Sequence, residues 1–271
     1  MVITCVLAAS SRAGTLVQFR TPLGDLPVEL LDDDKPATVR KFLSLVRADR
    51  YQHTFFHRCV TNFVLQGGGF TSTTPDSTNP VSVVNVVPGQ GFITNEFNIG
   101  RRFSNTFGTL AMAKTNNNPD SASVHWFFNL ADNSANLDLQ NGGFTVFGHL
   151  LGDTNLLHSF NHRQPGSGIY NAGGTFATLP VLPTNGLPPR YVDLIYVDIS
   201  LLRVAVAPSP DGSMIISWLS ASNLMHVVEY TDVFPPAWQE LARVAGTGQS
   251  QDAIDAPAVA GRFYRVRSEV P

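Results

Sequence analysis

The chain has 271 residues and a net charge of −3, from 18 lysine plus arginine and 21 aspartate plus glutamate residues. Charged residues make up only 14%, whereas 43% are apolar and both glycine (22) and proline (18) are plentiful. This balance argues against the basic surface of a nucleic-acid-binding protein and against a disordered chain. No apolar run approaches the roughly 20 residues that a membrane-spanning helix needs. The composition predicts a mainly β, loop-rich globular fold.

The first 13 residues resemble the end of a secretory signal peptide. An apolar stretch over 2–9 is followed by small residues, and Ala13 suits the position before a cleavage site. The basic residues that usually precede such a stretch are missing, and the alternative is a buried first strand without an alternating pattern. The cysteines, Cys5 and Cys59, are too few for a disulfide framework or a cysteine-based zinc site. We expect an exported protein, periplasmic or secreted, that retains Cys59 as its single thiol.

Apolar periodicity places the first strands and helices. Residues 15–21 and 26–31 predict a β-hairpin. Apolar residues at every third or fourth position after Pro36 predict a helix with the proline in its first turn. Short β-branched and aromatic runs predict several strands over 51–151, and a second short helix is expected near 155–160.

The rest of the sequence predicts a long loop, a closing strand and a separate module. Residues 164–190 are rich in Gly, Pro, Asn and Thr, which is typical of a surface loop, and the alternation over 191–202 predicts the strand that completes the first domain. A turn or linker is expected at 208–212, and proteolysis is expected first between 206 and 212. We divide the chain into a signal-peptide remnant at 1–13, a first domain at 14–203 and a small β-sandwich-like module at 204–271. The core of this module is expected to contain Ile215, Trp218, Val228, Tyr230, Phe263 and Val266.

Three segments carry the most specific pattern in the chain. They are FFHRCVTNFVLQGGGF over 55–70, then NEF at 95–97 with SNTFGTLAMA at 104–113, and finally DSASVHWFFNL at 120–130 with LD at 137–138 and GGFTVFG at 142–148. In order and spacing they resemble the cyclophilin-type peptidyl-prolyl cis–trans isomerase family in its bacterial form. The resemblance covers roughly 15–203. It implies a closed eight-stranded antiparallel barrel capped by two helices.

The resemblance also implies an activity, the rotation of X–Pro peptide bonds to assist protein folding, with no cofactor and no metal. This rotation meets a barrier of ~18–20 kcal/mol because amide resonance must be broken. An apolar pocket for the proline ring and a fixed donor to the prolyl nitrogen would lower that barrier. Arg58 matches the family arginine that donates to this nitrogen, and Gln66 matches the glutamine that orients the arginine. The run Gly67–Gly69 lacks the ending of a phosphate-binding loop and is expected to allow positive φ and close backbone approach.

A substrate pocket follows from the same resemblance. Its lining would comprise Phe63, Val64, Met112, Ala113, His125, Phe127, Leu137 and Phe144. Several positions differ from the best-known eukaryotic members. Where those members have a rim tryptophan, a pocket histidine and a methionine, this chain has Asn136, Phe144 and Val64, respectively. Lys114 replaces their asparagine after the alanine, and His125 replaces their glutamine before the phenylalanine pair. Because the rim tryptophan is replaced, we expect cyclosporin to bind weakly.

Other interpretations of the sequence stay open. One alternative is a non-catalytic module that uses the same groove to bind proline-containing peptides or to act as a chaperone. The principal function could instead belong to the C-terminal module, with Trp218, Tyr230 and Trp238 binding carbohydrate or a surface, although such aromatics more often form a core. His53 and His57 have no third ligand, so they do not predict a metal site, and His57 is expected to be structural with an internally hydrogen-bonded ring. The expected partners are proline-containing peptides and unfolded or folding proteins, with no nucleic acid, no membrane span and a monomeric state.

Overall fold

The computed structural model describes residues 14–72, 84–184, 187–222, 224–233, 236–256 and 261–269. The signal-like segment at 1–13 lies outside these residues. The fold is mainly β with few helices. Its helices are α1 (Pro36–Arg47), α2 (Ser134–Leu137) and α3 (Asn155–Ser159), with 3-10 turns at Gln140–Gly142, Phe160–His162, Gly174–Phe176 and Tyr191–Asp193. None of the helices among the described residues is long and apolar enough to cross a membrane.

The first domain contains fourteen of the described strands. They are β1 (Leu16–Thr21), β2 (Gly24–Leu30), β3 (Thr54–Phe55), β4 (Arg58–Val60), β5 (Val64–Gly67), β6 (Phe70–Ser72), β7 (Val84–Val86), β8 (Thr109–Met112), β9 (Trp126–Asn129), β10 (Val146–Leu150), β11 (Gln164–Pro165), β12 (Gly168–Tyr170), β13 (Leu179–Pro180) and β14 (Tyr196–Leu201). The predicted hairpin is confirmed as β1 and β2, with Phe19 opposite Leu26.

Eleven of these strands form one curled sheet in the order β4-β5-β9-β8-β10-β2-β1-β14-β3-β6-β7. The strand order has two ends, so the closed eight-stranded barrel expected from the resemblance is not confirmed. Only Phe56 and His57 separate β3 from β4, although these two strands stand eight positions apart in the order. The segment over 54–60 therefore contributes strands at two widely separated positions in the order of the sheet.

Helix α1 is confirmed where the sequence predicts it, and a buried carboxylate caps its first turn. Glu96 accepts hydrogen bonds from the backbone N–H groups of Ala37 (3.1 Å) and Thr38 (2.7 Å). An anion at this end satisfies free N–H groups and opposes the positive end of the helix dipole. The buried face of α1 inserts Phe42 into the main core, where its ring lies 5.1 Å from that of Phe147. The second predicted helix is confirmed as α3.

Two expectations about the end of the first domain need correction. The region 164–190 is not only a surface loop, because it contains β11, β12 and β13. Leu179 and Val181 are buried there against Phe55 and Leu194. The strand expected over 191–202 begins only at Tyr196, after a 3-10 turn. Composition could not reveal these contacts, since the apolar surface that buries Leu179 belongs to a distant part of the chain.

The C-terminal module is built from two three-stranded antiparallel sheets. Its strands are β15 (Val204–Pro208), β16 (Met214–Leu219), β17 (Met225–Thr231), β18 (Gln239–Ala245), β19 (Ser250–Asp255) and β20 (Phe263–Glu269), in the orders β15-β16-β19 and β18-β17-β20. Of the turn or linker expected at 208–212, the turn is confirmed: it joins β15 to β16, and these two strands pair with Val204 opposite Trp218. Only residues 202–203 connect the last strand of the first domain to β15.

The core of the module differs in part from the prediction. Trp218 and Val228 are buried as expected. Ile216 is buried in place of Ile215, because successive residues of a strand point to opposite faces and Ile216 shares its face with Trp218. Phe263 is 60% exposed at the start of β20, so it does not belong to this core. Of the expected residues, Val266 is partly buried and packs against this core, together with Tyr264. Tyr230 is partly buried but is not one of the core residues.

Candidate functional site

A row of side chains crosses four neighbouring strands on the face of the sheet opposite the main core. Arg58 on β4 lies opposite Gln66 on β5, Gln66 lies opposite Phe127 on β9, and Phe127 lies opposite Ala111 on β8. Neighbouring strands are about 4.8 Å apart, so the row spans roughly 14 Å. Residues that are far apart in sequence thus form one continuous strip, with the arginine at one end and apolar side chains at the other.

The apolar end of this strip is part of a separate hydrophobic cluster, which we call the pocket cluster. Its buried members are Val64, Ala111, Phe127, Leu137 and Val146, with Leu31, Phe63, Phe103, Ala113 and Phe144 partly buried around them. The rings of Phe127 and Phe144 meet edge to face, with centroids 5.9 Å apart. The structure therefore brings together six of the eight side chains expected to bind substrate.

Met112 is not one of the six, and its assignment to the substrate pocket is wrong. Leu110 and Met112 point into the main core, where Met112 is 1% exposed. The alternation of side chains along β8 leaves Ala111 and Ala113 on the pocket side. Ala111 was missed by the sequence reasoning, although the same alternation, applied from Ala113, would have identified it.

His125 also lies outside the pocket cluster. Its ring packs beside those of His57 and Phe70, with centroids 5.2 and 5.5 Å away. A Cβ atom at Gly69 would overlap the His125 ring, which explains why glycine is required there. Gly68 has a φ of 84° and lies against the indole of Trp126. The expectation that these glycines allow positive φ and close approach is confirmed.

Arg58 is the charged group of the strip. Its guanidinium carbon lies 5.8 Å from the centroid of the Phe63 ring, and the residue is half-buried. None of the ion pairs formed between described residues involves Arg58. Burial lowers its pKa, yet a guanidinium remains charged under ordinary conditions. The charge therefore stands at the edge of an apolar pocket without a carboxylate to neutralise it within the described part of the chain.

The neighbouring histidine does not add a second charge. His57 is 1% exposed, and burial, followed by the proximity of His125 and Arg58, lowers its pKa to about 3. It is structural, as expected, but its Nδ1 atom has no hydrogen-bond partner among the described residues, so the expected internal hydrogen bond is not found at that atom. A neutral His57 leaves Arg58 as the cation at this end of the strip.

Buried amides hold the backbone on two sides of the pocket, and the sequence reasoning missed them. The Asn133 side chain donates to the carbonyl of Phe63 (2.8 Å), and the Asn105 side chain donates to the carbonyl of Phe144 (3.0 Å). Asn129 links the two amides, since it donates to Asn105 (3.2 Å) and accepts from Asn133 (2.7 Å). Asn105 and Asn133 lie in loops and Asn129 ends β9, so no shared period links them, and only their spatial convergence identifies them.

The aromatics of the C-terminal module do not form an open binding face. Trp218 is 3% exposed and belongs to the module core. The ring of Tyr230 is covered by the guanidinium of Arg262 at 4.0 Å, and the ring of Trp238 by that of Arg265 at 4.2 Å. Each of these contacts covers one face of its ring, so that face is not open to a stacking carbohydrate.

The described residues thus place a half-buried cation beside an apolar pocket on a curled antiparallel sheet. The family model described as cyclophilin type peptidyl-prolyl cis-trans isomerase/CLD matches residues 16–171. The chain belongs to this family, and it is a peptidyl-prolyl cis–trans isomerase.

Several curated relatives match the same region. A peptidyl-prolyl cis-trans isomerase of Acinetobacter baylyi is 38% identical over 147 residues, which cover 54% of this chain and 71% of the relative. Isomerase B of Escherichia coli is 36% identical over 140 residues, or 50% and 77% of the two chains. The cyp18 isomerase of Streptomyces antibioticus is 35% identical over 155 residues, or 56% and 86%. A solved isomerase of this type from Cryptosporidium parvum covers 70% of this chain and 98% of its own, with 20% identity and a TM-score of 0.47.

Proposed function

We propose that Arg58 and the pocket cluster carry the isomerisation, acting on X–Pro bonds of extended segments in unfolded or folding proteins. The observation that supports this assignment is the strip from Arg58 through Gln66 to Phe127. It places a permanent cation beside a pocket of aromatic and aliphatic side chains. No covalent intermediate is needed, because the barrier comes from amide resonance alone.

In the proposed mechanism, the proline ring occupies the pocket between Phe63, Phe127 and Leu137. Rotation of the peptide bond removes the conjugation of the prolyl nitrogen, which then carries a lone pair. The guanidinium of Arg58 donates a hydrogen bond to that lone pair and favours the twisted state over the planar one. Gln66 lies between the arginine and the pocket, where its amide orients the guanidinium and contacts the substrate backbone.

A closed eight-stranded barrel is the finer architecture that we propose for this domain. The N–H of His57 donates to the carbonyl of Gln66 (3.1 Å), and the N–H of Phe56 donates to the carbonyl of Ile195 (3.1 Å). Both donors lie between β3 and β4. Their acceptors belong to the segments on the two sides of this stretch: Ile195 directly precedes β14, and Gln66 is on β5. They support a continuous strand over 54–60 that joins the two sides of the sheet.

The cellular setting of this proposal follows from the sequence. The signal-like segment at 1–13 favours export to the periplasm or the exterior, where the protein would act as a monomer on folding proteins. The alternative function is a non-catalytic peptide-binding or chaperone module that uses the same pocket. The exposed Asn136 at the rim favours it, because a large apolar side chain is absent there.

NMR exchange spectroscopy on an Ala-Pro peptide separates catalysis from binding. We expect the wild-type protein to accelerate exchange and Arg58→Ala to lower the catalytic efficiency at least ~10-fold, since a charge-assisted hydrogen bond contributes roughly 1.5–3 kcal/mol. Arg58→Lys should restore little, because an ammonium cannot reproduce the guanidinium fork. Arg40→Ala, on the exposed face of α1, is the control. Equal activity of wild type and Arg58→Ala would refute the assignment of Arg58, and peptide binding without acceleration would favour the alternative.

A further inference from the structure

Lys114 lies two residues after the end of strand β8 and reaches the loop that precedes Phe144. Its Nζ atom donates to the carbonyls of Asn141 (2.8 Å) and Gly143 (2.6 Å). The same ammonium lies 4.5 Å from the centroid of the Phe144 ring. Three attractive contacts of one cation thus converge on a wall of the pocket cluster.

The loop itself needs such a cation. Asn141, Gly142 and Gly143 have consecutive positive φ angles of 50°, 75° and 78°. Apart from glycine, few residues adopt the left-handed conformation of Asn141, and asparagine is one of those that do so as single residues. The two carbonyls that accept from Lys114 point toward one atom, and their negative ends would repel one another without a donor between them. The ammonium therefore stabilises this loop conformation, and with it the position of the adjacent Phe144.

We propose that Lys114 is a positioning residue that sets the affinity of the pocket for proline by holding the Phe144 wall in place. This inference rests on the proposed function of the pocket cluster. Lys114 acts through Phe144, whose ring packs against Phe127 on the floor of the pocket.

The contact is sensitive to pH. Burial lowers the pKa of Lys114 to about 8, and the carboxylate of Asp120 partly opposes this effect. The carboxylate of Asp138, which directly follows α2, is also near this loop in the sequence. It accepts hydrogen bonds from the side chain and the backbone N–H of Asn105. Above pH 8 the neutral amine loses its attraction to the ring face, so the Phe144 wall loosens.

The decisive variant is Lys114→Met, which keeps the length of the side chain and removes the charge. We expect its KM for an Ala-Pro peptide to rise about threefold to tenfold, because the cation–π contact and both hydrogen bonds that hold the loop are lost, with kcat changed less than about twofold. The wild-type kcat/KM should fall as pH rises through 8, whereas Lys114→Met should show no such fall. Lys114→Arg, charged throughout, should retain the wild-type KM at pH 7 and resist the alkaline loss. The control is Lys41→Met, in α1 away from the pocket.

The sequence contains only three lysines, Lys35, Lys41 and Lys114, so each can be observed directly by ε-13C labelling of lysine. The Lys114 resonance of the unmodified protein should titrate near pH 8 and shift when a proline peptide binds. If KM and the pH profile of Lys114→Met match those of wild type, or if the chemical shift of this resonance does not change when the peptide binds, the inference is wrong. Arg58→Ala tests the proposed function separately. If Arg58→Ala loses activity while Lys114→Met behaves as wild type, the role of Lys114 is overturned and the proposed function of Arg58 is not.

Discussion

Arg58 and Gln66 face each other across the β4–β5 hairpin, in an antiparallel register that brings residues eight positions apart side by side. The tip of this hairpin carries Phe63, whose ring lies under the guanidinium of Arg58. Asn62 forms the turn with a φ of 55°, and the N–H of Phe63 donates to the carbonyl of Val60 (3.0 Å). Arg58 and one wall of the pocket cluster therefore belong to the same hairpin, whose pairing sets their separation.

Cyclosporin binding tests the rim of the pocket. Asn136 is exposed on α2, so a larger side chain fits there without disturbing the core. We expect Asn136→Trp to strengthen cyclosporin binding, because it adds a large apolar surface and an indole N–H donor. Titration calorimetry measures the change, and Ala135→Trp, at the adjacent exposed position, is the control. Tight binding by the unmodified protein would show that residue 136 does not limit affinity.

The contact between Gly69 and His125 predicts a rescue experiment. Gly69→Ala places a methyl group in the space of the His125 ring, and overpacking of this kind costs typically about 1–3 kcal/mol of unfolding free energy. His125→Ala empties that space, so the double variant should be more stable than the sum of the two single effects. Urea denaturation of the four proteins measures the coupling. Strict additivity would mean that the two residues do not share this space.

Because burial disfavours the charged form of His57, we expect the folded protein to lose stability as the pH becomes acidic. Its folded-state pKa of about 3 is below the ordinary value of 6.5, so the unfolded chain binds more protons between these pH values. The unfolding free energy should therefore decrease as pH falls from 6.5 toward 3, by at most about 1.4 kcal/mol per pH unit for this group. His57→Phe should reduce the slope, leaving the contribution of His125, whose pKa burial also lowers. Urea midpoints at several pH values test this, with the exposed His162→Asn as control; an unchanged slope in His57→Phe would contradict the prediction.

Truncation tests the independence of the two domains. The boundary expected from the sequence, after Arg203, lies in the short connection between β14 and the paired strand β15. Among the described residues, two side-chain hydrogen bonds join the β1–β2 hairpin to the module: the Ser222 hydroxyl donates to Asp25 (2.8 Å), and Arg20 donates to the carbonyl of Gly248. Because both are polar, we expect the protein ending at Arg203 to stay soluble with nearly full isomerase activity. Aggregation or loss of exchange activity in this truncated protein would assign the module to the catalytic domain.

The elements with a clear local signal were predictable from the sequence. Helix α1 has an amphipathic period and a proline in its first turn, and the β1–β2 hairpin has two strands with a turn between them. The spacing of the motif also identified Arg58, Gln66 and most of the pocket cluster, since a family resemblance carries three-dimensional information that periodicity lacks. Those predictions depend on neighbours within a few residues or on a pattern already known to fold in one way.

Only the tertiary structure decided which face of a strand is buried and against what. Successive side chains of a strand point to opposite faces, so the sequence alone allows either Ile215 or Ile216 in the module core. It likewise allows either Met112 or Ala111 in the pocket, until the surface that packs on each face is known. The same is true of the amides beneath the pocket and of Lys114, which meets its acceptors in a loop more than 25 residues away. The sequence by itself determined the local conformations and the family. The burial and pairing of these side chains arise from long-range contacts, and the free energy of such contacts depends on atoms that no local pattern brings together.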